Sequence, residues 1–399
     1  MKIRTLIIPC VALAIASMLS ICNIQKINYT PSAPNDSGII IVPTTEPVES
    51  TEYVEEIIET TVETPTEVAT ETATEPEPPE PVTEPTEPPT EPAPSNFQIT
   101  LSFAGDCTLS NVTSDKTSNG FLAYAEQNEP SYFLEKVKPI FEQDDFTVVN
   151  LECVLSDRAL AKRDKGEGVA FWFKGPTSNA EILSSGSVEG VSLANNHTYD
   201  YGMLGNEDTK EAVSNVGLKY GYYEEIMYFE KNGFTVAVIC HGLWSEWEVD
   251  NVIKILDIAK EQSDYQVIMY HGGTEKAHKP EEWRVRASRK LVDNGADLVL
   301  GNHPHVLQPI EEYNGAKIVY SLGNFCYGGH MQPQNRTMVY QTTLTVNCET
   351  LEVEESEQNV IPCYVYTTEY NNYQPTPIEN EEEIDRVMKF LNGELELPY

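Results

Sequence analysis

The sequence predicts an α/β domain with a substantially parallel sheet, carried on a membrane-anchored N-terminal stalk. From Phe97 onward, apolar β-rich runs alternate with helix-like stretches, which is the pattern of an α/β domain. Six of these runs end in a residue able to bind a metal or carry a proton. The first quarter of the chain has a composition that excludes a packed core, so about 300 residues remain for a single α/β core.

The chain begins with a leader and a linker. Residues 1–26 have a basic start at Lys2 and Arg4 followed by an apolar run through Cys22, which is typical of a signal peptide or a membrane anchor. Residues 27–96 are rich in Thr, Glu and Pro, and this composition predicts a disordered, extended linker. We therefore expect a single N-terminal anchor in the cell membrane with an extracellular domain, or a secreted protein if the leader is cleaved.

The chain is strongly acidic, with a net charge of −37. Residues 27–96 carry −16 of this, and once the three basic residues of the leader are counted, −24 remains on residues 97–399. This balance argues against nucleic acid as a partner, because binding there depends on Lys and Arg neutralising phosphates. Six cysteines follow the leader without close spacing, and we expect most of them to be small buried hydrophobic residues rather than disulfides.

Residues 97–345 form the predicted main domain. Its apolar runs end at Asp106, Glu152, Asn196 with His197, His241, His271 and His303. The stretches predicted as helices are Tyr132–Glu142, Ser178–Ser185, Asn206–Val216, Asn251–Gln262 and Glu281–Asn294. Sites in open α/β sheets lie beyond the carboxyl ends of the strands, so these terminal residues are candidates for one site. Residues 346–399 are predicted as strands and a helix, Glu379–Leu391, that complete the domain as a second layer or a closing subdomain.

The run Gly301–Phe325 holds two histidines, His303 and His305, at a spacing of two. An extended backbone there would point both imidazoles to the same side. Four other residues are candidates to join them: Asp106, Glu152, Asn196 and His271. Two carboxylates, one amide oxygen and three imidazoles suit a binuclear site for Mn, Zn or Fe better than an all-oxygen Mg or Ca site, and such a site is typical of hydrolases.

Each candidate also has a structural interpretation. The two histidines of the Gly301–Phe325 run could lie in a hydrogen-bonded turn, and Asn195–His197 could form a left-handed turn. Asp106 could cap a turn, and Glu152 could form an ion pair with a basic neighbour. Structural roles are expected for His241, His278 and His330, and a supporting hydrogen bond for Asn324. The aromatic run Phe171–Phe173 is predicted as core, with the lining of a substrate groove as the alternative.

Six motifs occur in order: Gly105-Asp106, Asn150–Glu152, Leu193–Gly202, His271–Gly273, Gly295–Asp297 and His303–Phe325. With these motifs the chain resembles the bacterial capsule-synthesis protein CapA family, which is linked to poly-γ-glutamate capsules and related to calcineurin-like metallophosphoesterases. The resemblance covers about residues 98–330 and implies a four-layer α/β/β/α sandwich with a binuclear metal site.

The resemblance also implies roles for single residues. Asp106 and His305 would bind one metal; Asn196, His271 and His303 would bind the other, and Glu152 would bridge them. His197 resembles the family's proton donor to the leaving group, and Asp200 would orient it. One departure is Thr108, which stands where calcineurin-like enzymes usually carry a histidine.

Two functions are compatible with this sequence. The first is a cell-surface, metal-dependent hydrolase of capsule or envelope polymer synthesis. The alternative is a non-catalytic surface protein that binds or helps to export an anionic capsule polymer. Expected partners are that polymer, capsule-synthesis membrane proteins, and the membrane through the N-terminal anchor.

Overall fold

In the computed structural model, residues 95–112 and 120–399 are described. The predicted leader over 1–26 and nearly all of the linker over 27–96 lie outside the described residues. Among the helices in the described ranges, none has the length and apolarity needed to cross a bilayer. The described part is a mixed α/β structure rich in sheet, and its elements are as follows.

The strands, in chain order, are β1 (Asn96–Thr108), β2 (Phe146–Leu151), β3 (Val154–Leu155), β4 (Lys174–Gly175), β5 (Gly190–Ser192), β6 (Lys219–Gly221), β7 (Met227–Lys231), β8 (Phe234–Gly242), β9 (Tyr265–His271), β10 (Leu298–Asn302), β11 (Leu307–Tyr313), β12 (Ala316–Leu322), β13 (Asn324–Tyr327), β14 (Thr337–Asn347), β15 (Val353–Tyr364) and β16 (Thr376–Pro377). The α-helices are α1 (Phe121–Gln127), α2 (Lys138–Phe141), α3 (Ala180–Ser185), α4 (Gly202–Asn215), α5 (Val249–Lys260), α6 (Glu282–Asp293) and α7 (Glu381–Leu391).

The strands form two large sheets. In the first sheet the order is β16-β15-β14-β1-β2-β5-β6, and β13 also pairs with β1. Strands β1, β2, β5 and β6 are parallel, as predicted from the alternation of strands and helices. In the second sheet the order is β11-β12-β10-β9-β8-β7, with the four central strands parallel and antiparallel strands at both edges.

The C-terminal strands differ from the expectation of a second layer or closing subdomain. Strand β14 pairs antiparallel with β1 over almost its whole length, from Asn96 opposite Asn347 to Ala104 opposite Val339, and β15 pairs with β14. These strands therefore extend the first sheet. The pattern of apolar residues in β14 indicates that one of its faces is buried, but it does not indicate which strand edge pairs with it.

Side chains alternate between the two faces of each sheet, and both faces are covered. Val148 of β2 and Val238 of β8 lie in the core between the sheets. Their neighbours point outward, Val149 towards helices such as α3 and α4, and Ile239 towards α5 and α6. The layers are therefore helices, sheet, sheet and helices. Burial on both faces explains why these strands are continuous apolar runs in the sequence.

Most predicted helices begin and end within a few residues of the observed ones, but the one predicted over Tyr132–Glu142 is wrong in part. Only a short 3₁₀ turn, Pro130–Tyr132, and the single turn of α2 form there. Pro139 explains the interruption, because it has no backbone N–H to donate to the carbonyl oxygen of Glu135, and it is tolerated in the first turn of α2, where that donor is not needed. Helix α1 was not predicted.

The six described cysteines are free, and all except Cys348 are buried. The expectation that most of them are small buried hydrophobic residues is confirmed.

Two acidic side chains lie partly buried at the amino-terminal ends of β2 and β5. Asp144 accepts a hydrogen bond from the Thr147 hydroxyl at 2.7 Å, and Glu189 accepts one from the Thr147 backbone N–H at 2.7 Å. Burial raises the pKa of Asp144 to about 6 and that of Glu189 to about 7. The folded protein therefore holds these protons more tightly than the unfolded chain does, and its stability falls as the pH rises from about 4 through these values.

We expect Glu189→Gln to reduce this loss of stability, because glutamine keeps the hydrogen-bond acceptor and removes the charge. The melting temperature, measured at pH 5 and pH 8 in chelator, should fall less in the variant than in the wild type. The difference should be a few degrees, on the scale of about 2–4 °C for each kcal/mol. Glu357→Gln, on the exposed face of β15, removes the same charge and should behave like the wild type. Equal pH dependence in all three proteins would contradict the prediction.

Candidate metal centre

The predicted site residues lie together at the carboxyl ends of parallel strands from both sheets. Asp106 is in β1, Glu152 follows β2, and Asn196 and His197 follow β5. His271 ends β9 in the second sheet, while His303 and His305 follow β10. Since the carboxyl ends of parallel strands meet at one edge of a sheet, and the two sheets pack face to face, residues separated by up to 199 positions in the chain become neighbours.

Four ligand atoms converge around His271. Its Nε2 atom lies 2.8 Å from Asn196 Oδ1, 3.1 Å from His303 Nδ1 and 3.4 Å from Glu152 Oε1. Two atoms that bind one zinc-like ion, each at about 2.1 Å, lie roughly 3.0–3.4 Å apart. The distances from His271 Nε2 to His303 and Glu152 lie in this range, and the distance to Asn196 is slightly shorter, so these atoms can surround one divalent ion.

A second group forms on the opposite side of Glu152. His305 Nδ1 lies 3.0 Å from Asp106 Oδ2 and 3.8 Å from Glu152 Oε2. The ligand atoms of these three residues all lie within 4.8 Å of one another, as do those of Glu152, His271 and His303. Glu152 is shared by the two groups, with one oxygen facing each, as its predicted bridging role requires.

Unsatisfied oxygen atoms support a cation at this position. Both carboxylate oxygens of Glu152 are buried and have no hydrogen-bond partner. A buried carboxylate without a hydrogen-bond donor is costly, and coordination of a metal removes that cost. Together with the imidazole nitrogens around them, these oxygens form a donor set that fits a divalent transition metal.

The protonation pattern of the cluster is uneven. Burial lowers the pKa of His271 to about 3 and that of His303 to about 2, so both imidazoles are neutral and keep the lone pair that a metal needs. For His305 burial acts in the same direction, but the carboxylates of Glu152 and Asp106 outweigh it and raise its pKa to about 10. Burial also raises the pKa of Glu152 to about 8.

His197 lies beside this cluster and is held by Asp200. The Nδ1 atom of His197 is 2.8 Å from Asp200 Oδ2, and its Nε2 atom is 3.9 Å from Glu152 Oε1. Asp200 is fully buried and also accepts a hydrogen bond from the Phe173 backbone N–H at 2.7 Å. This arrangement fixes the imidazole so that Nε2 faces the cluster, which is the orientation that the predicted role of Asp200 requires.

The backbone around His303 and His305 differs from the expectation of an extended segment. Both residues have positive φ angles, 94° for His303 and 57° for His305, and they lie in a bend. The imidazoles still converge, with ring centroids 5.8 Å apart. They converge because the loop is strained, whereas the prediction relied on the alternation of side chains along a strand. Histidine is one of the residues that tolerate positive φ angles, and such strain is common at functional sites.

The strand ends approach each other closely enough to require glycine. A Cβ atom at position 105 would lie 1.8 Å from the carbonyl oxygen of Gly323, which accepts a hydrogen bond from the Asp106 N–H at 2.9 Å. Gly105 therefore allows the contact that fixes the backbone of Asp106.

The structure adds residues that the sequence interpretation did not select. Asn150 donates from Nδ2 to Asp106 Oδ1 at 2.8 Å, and the same nitrogen lies 3.1 Å from His271 Nδ1. The Glu275 carboxylate lies within 4.8 Å of the ring nitrogens of His303 and His305. The position of Asn150 two residues before Glu152, within the same motif, is a signal that was available, whereas Glu275 lies in a loop whose path the sequence does not predict.

Two expected structural roles are confirmed. Asn324 Oδ1 lies 2.9 Å from His305 Nδ1, and its amide donates to the His305 carbonyl oxygen at 3.1 Å. His241 packs against Tyr223 with ring centroids 4.4 Å apart. The aromatic run is core only in part, since Phe173 is buried while Phe171 is 47% exposed.

The fold and the site together define a sheet-rich α/β protein with a candidate metal centre at its strand ends. A family model described as "Bacterial capsule synthesis protein PGA_cap" matches residues 100–328. The chain belongs to this family.

Two relatives are CapA proteins of Bacillus. The chain is 29% identical over 251 residues to the PGA biosynthesis protein CapA of Bacillus subtilis, a match that covers 57% of this chain and 63% of that protein. It is also 29% identical over 224 residues to the capsule biosynthesis protein CapA of Bacillus anthracis, covering 49% of this chain and 54% of that protein. The chain thus spans less than two thirds of the length of these relatives.

Two solved structures resemble the described fold weakly. One is a phosphatase from Mycoplasma pneumoniae, with a TM-score of 0.41 and 13% identity over 67% of this chain and 94% of that one. The other is a hypothetical protein from Thermus thermophilus, with a TM-score of 0.39 and 15% identity over 66% of this chain and 99% of that one.

We expect Glu152→Gln to change stability in opposite directions with and without metal. In chelator, the variant should melt at or above the temperature of the wild type, because it removes a buried carboxylate that has no donor. On addition of Mn²⁺ at about 100 times its Kd, the wild type should gain roughly 5–10 °C and the variant much less. Differential scanning fluorimetry of the full chain measures both shifts.

The surface variant Glu357→Gln is the control and should gain as much as the wild type. A wild-type protein whose melting temperature does not respond to Mn²⁺, Zn²⁺ or Fe²⁺ would contradict a metal site at this cluster.

Proposed function

We propose that this chain is a cell-envelope protein of capsule or envelope polymer synthesis, and that its strand-end cluster is a binuclear hydrolytic site. The observation that carries the proposal is the Glu152 carboxylate, which lies between two groups of ligand atoms and has no hydrogen-bond donor. Family membership supports a role in the synthesis of a capsule polymer. The name of one relative, the PGA biosynthesis protein CapA, supports PGA as that polymer. The layer order is the one expected of a metallophosphoesterase-like sandwich.

The residues that would hold the ions are divided by Glu152. Asp106 and His305 would bind one ion, while Asn196, His271 and His303 would bind the other. When bound, two divalent ions polarise a substrate oxygen and lower the pKa of a water molecule. Asn150 would orient Asp106 by donating to its Oδ1 atom, and Asn324 would hold the backbone of His305 by donating to the His305 carbonyl oxygen.

His197 would supply the proton for the leaving group. Its Nδ1 atom is engaged by Asp200, so Nε2 is the nitrogen that faces the cluster and a substrate bound there. A proton on Nε2 can pass to the leaving oxygen or nitrogen as the bond to it breaks. The ring of Phe173 packs edge-on against His197 at 4.5 Å and limits its rotation.

Location and partners follow from the sequence outside the described domain. We propose an N-terminal anchor with the domain outside the cell, where an anionic capsule polymer is the substrate and capsule-synthesis membrane proteins are neighbours. The acidic linker would hold the domain away from the membrane at roughly 3 Å per extended residue.

A specific observation favours the second, non-catalytic function. Thr108 occupies the position at which calcineurin-like enzymes usually carry a histidine, and its hydroxyl is buried without a hydrogen-bond partner. The Asp106 side of the cluster therefore has fewer strong ligands than the His271 side, and a protein with one occupied position would bind polymer without cleaving it.

We expect His197→Ala to reduce turnover strongly while leaving metal content unchanged. The loss should be about 10²–10⁴-fold in kcat, as for removal of a general acid. A panel of a phosphomonoester, a phosphodiester and poly-γ-glutamate tests the metal-loaded full chain, with metal content measured by mass spectrometry.

His330→Ala, which removes an exposed histidine, is the matched control and should keep wild-type turnover. If the loaded wild type turns over none of the three substrates, the non-catalytic function replaces the hydrolase. Turnover that survives in His197→Ala would remove His197 from the mechanism.

A further inference from the structure

Positive charge is concentrated in one loop of this acidic protein. Residues 157–172, here called the basic loop, join β3 to β4 and contain Arg158, Lys162, Arg163 and Lys165, with Lys174 just beyond. Three acidic residues lie in the same stretch, so residues 157–174 carry a net charge of +2. The domain as a whole carries −24, and the basic loop is therefore a local exception.

The basic loop lies directly against the His197 side of the metal cluster. The Lys165 ammonium is 2.5 Å from Asp200 Oδ1 and 3.4 Å from His197 Nδ1. The Arg163 backbone N–H donates to the carbonyl oxygen of Asp200 at 2.8 Å, and the Trp172 indole N–H donates to the carbonyl oxygen of Arg163 at 2.8 Å. The loop is thus fixed beside the residue proposed to face the leaving group.

Two cations of the basic loop are not neutralised within the described part of the chain. Arg158 pairs with Asp208, Lys165 pairs with Asp200, and Lys174 donates to carbonyl oxygens of Ser156 and Arg158. Lys162 and Arg163 are exposed and form no ion pair with a described carboxylate. Exposed cations without a carboxylate partner are available to an external anion, which their field attracts.

Apolar surface accompanies these charges. Val169 is 89% exposed and Phe171 is 47% exposed, and the Lys162 ammonium lies 4.9 Å from the centre of the Trp172 ring. A ligand that fits this surface carries anionic groups separated by apolar segments. A γ-linked glutamate chain has this chemistry, since methylene groups in its main chain alternate with carboxylates.

We propose that the basic loop is the docking surface for a carboxylate-bearing polyanion, and that Lys162 and Arg163 bind its carboxylates on the leaving-group side of the cluster. This inference rests on the proposed function for the identity of the polymer. Lys165 is a positioning residue in this scheme, since it contacts Asp200 and His197 and takes no part in docking. The loop attracts an anionic chain towards a domain whose overall charge would repel it.

The test measures binding of fluorescently labelled poly-γ-glutamate to the full chain by anisotropy. The double variant Lys162→Gln/Arg163→Gln should bind about three- to thirtyfold more weakly at low salt, and the difference should shrink as salt increases. The control Lys254→Gln/Arg386→Gln removes two exposed cations from α5 and α7, with the same change in net charge, and should bind like the wild type. Equal binding by the loop variant and the control would overturn the proposal.

Two further measurements separate this inference from the hydrolase proposal. Turnover of a small uncharged ester or amide should be unchanged in the loop variant, whereas a comparable loss of that turnover would overturn a docking role. A wild type without turnover, but with polymer binding that depends on Lys162 and Arg163, would leave the inference standing and refute the hydrolase. Inorganic polyphosphate of matched charge should displace poly-γ-glutamate only at higher concentration, and tighter binding of polyphosphate would overturn the assignment to a carboxylate polymer.

Discussion

A buried carboxylate that no hydrogen-bond donor satisfies is the constraint around which this site is built. Glu152 is fully buried between two sheets, with imidazoles of the second sheet on both sides of it. In a low-dielectric interior an isolated carboxylate either takes up a proton or requires a cation. Both sheets bring imidazoles, amides or carboxylates to this point, so the packing of one sheet on the other also sets the distance between the two ligand groups.

The surrounding residues turn this constraint into a directed site. Asn150 holds the Asp106 carboxylate and Asn324 holds the backbone of His305 from one sheet, and Asp200 holds His197 at the rim. Hydrogen bonds from such neighbours orient the groups that would hold a metal. The same Asp200 binds Lys165, so the charge network of the cluster continues into the loop that we assign to the polymer.

The sequence was informative where a local rule determines position. Strand ends such as Asp106 and His271 could be predicted as neighbours, because parallel strands deliver their carboxyl ends to one edge. The loop conformation of His303 could not be predicted, because its positive φ angle depends on tertiary contacts. The pairing of β14 with β1 and the contact of Lys165 with Asp200 depend equally on the assembled fold. Pro139 is a case in which the signal was present and the helix was nevertheless predicted as continuous.

The pairing of β1 with β14 also sets the order in which the domain can be completed. The two strands are separated by more than two hundred residues, as in the contact between Thr100 and Thr343, which are 243 apart. At roughly 5–20 residues per second of synthesis, β1 waits for tens of seconds before its partner exists. Until then a long apolar strand has an unpaired edge. Completion of the first sheet therefore depends on the last strands to be synthesised.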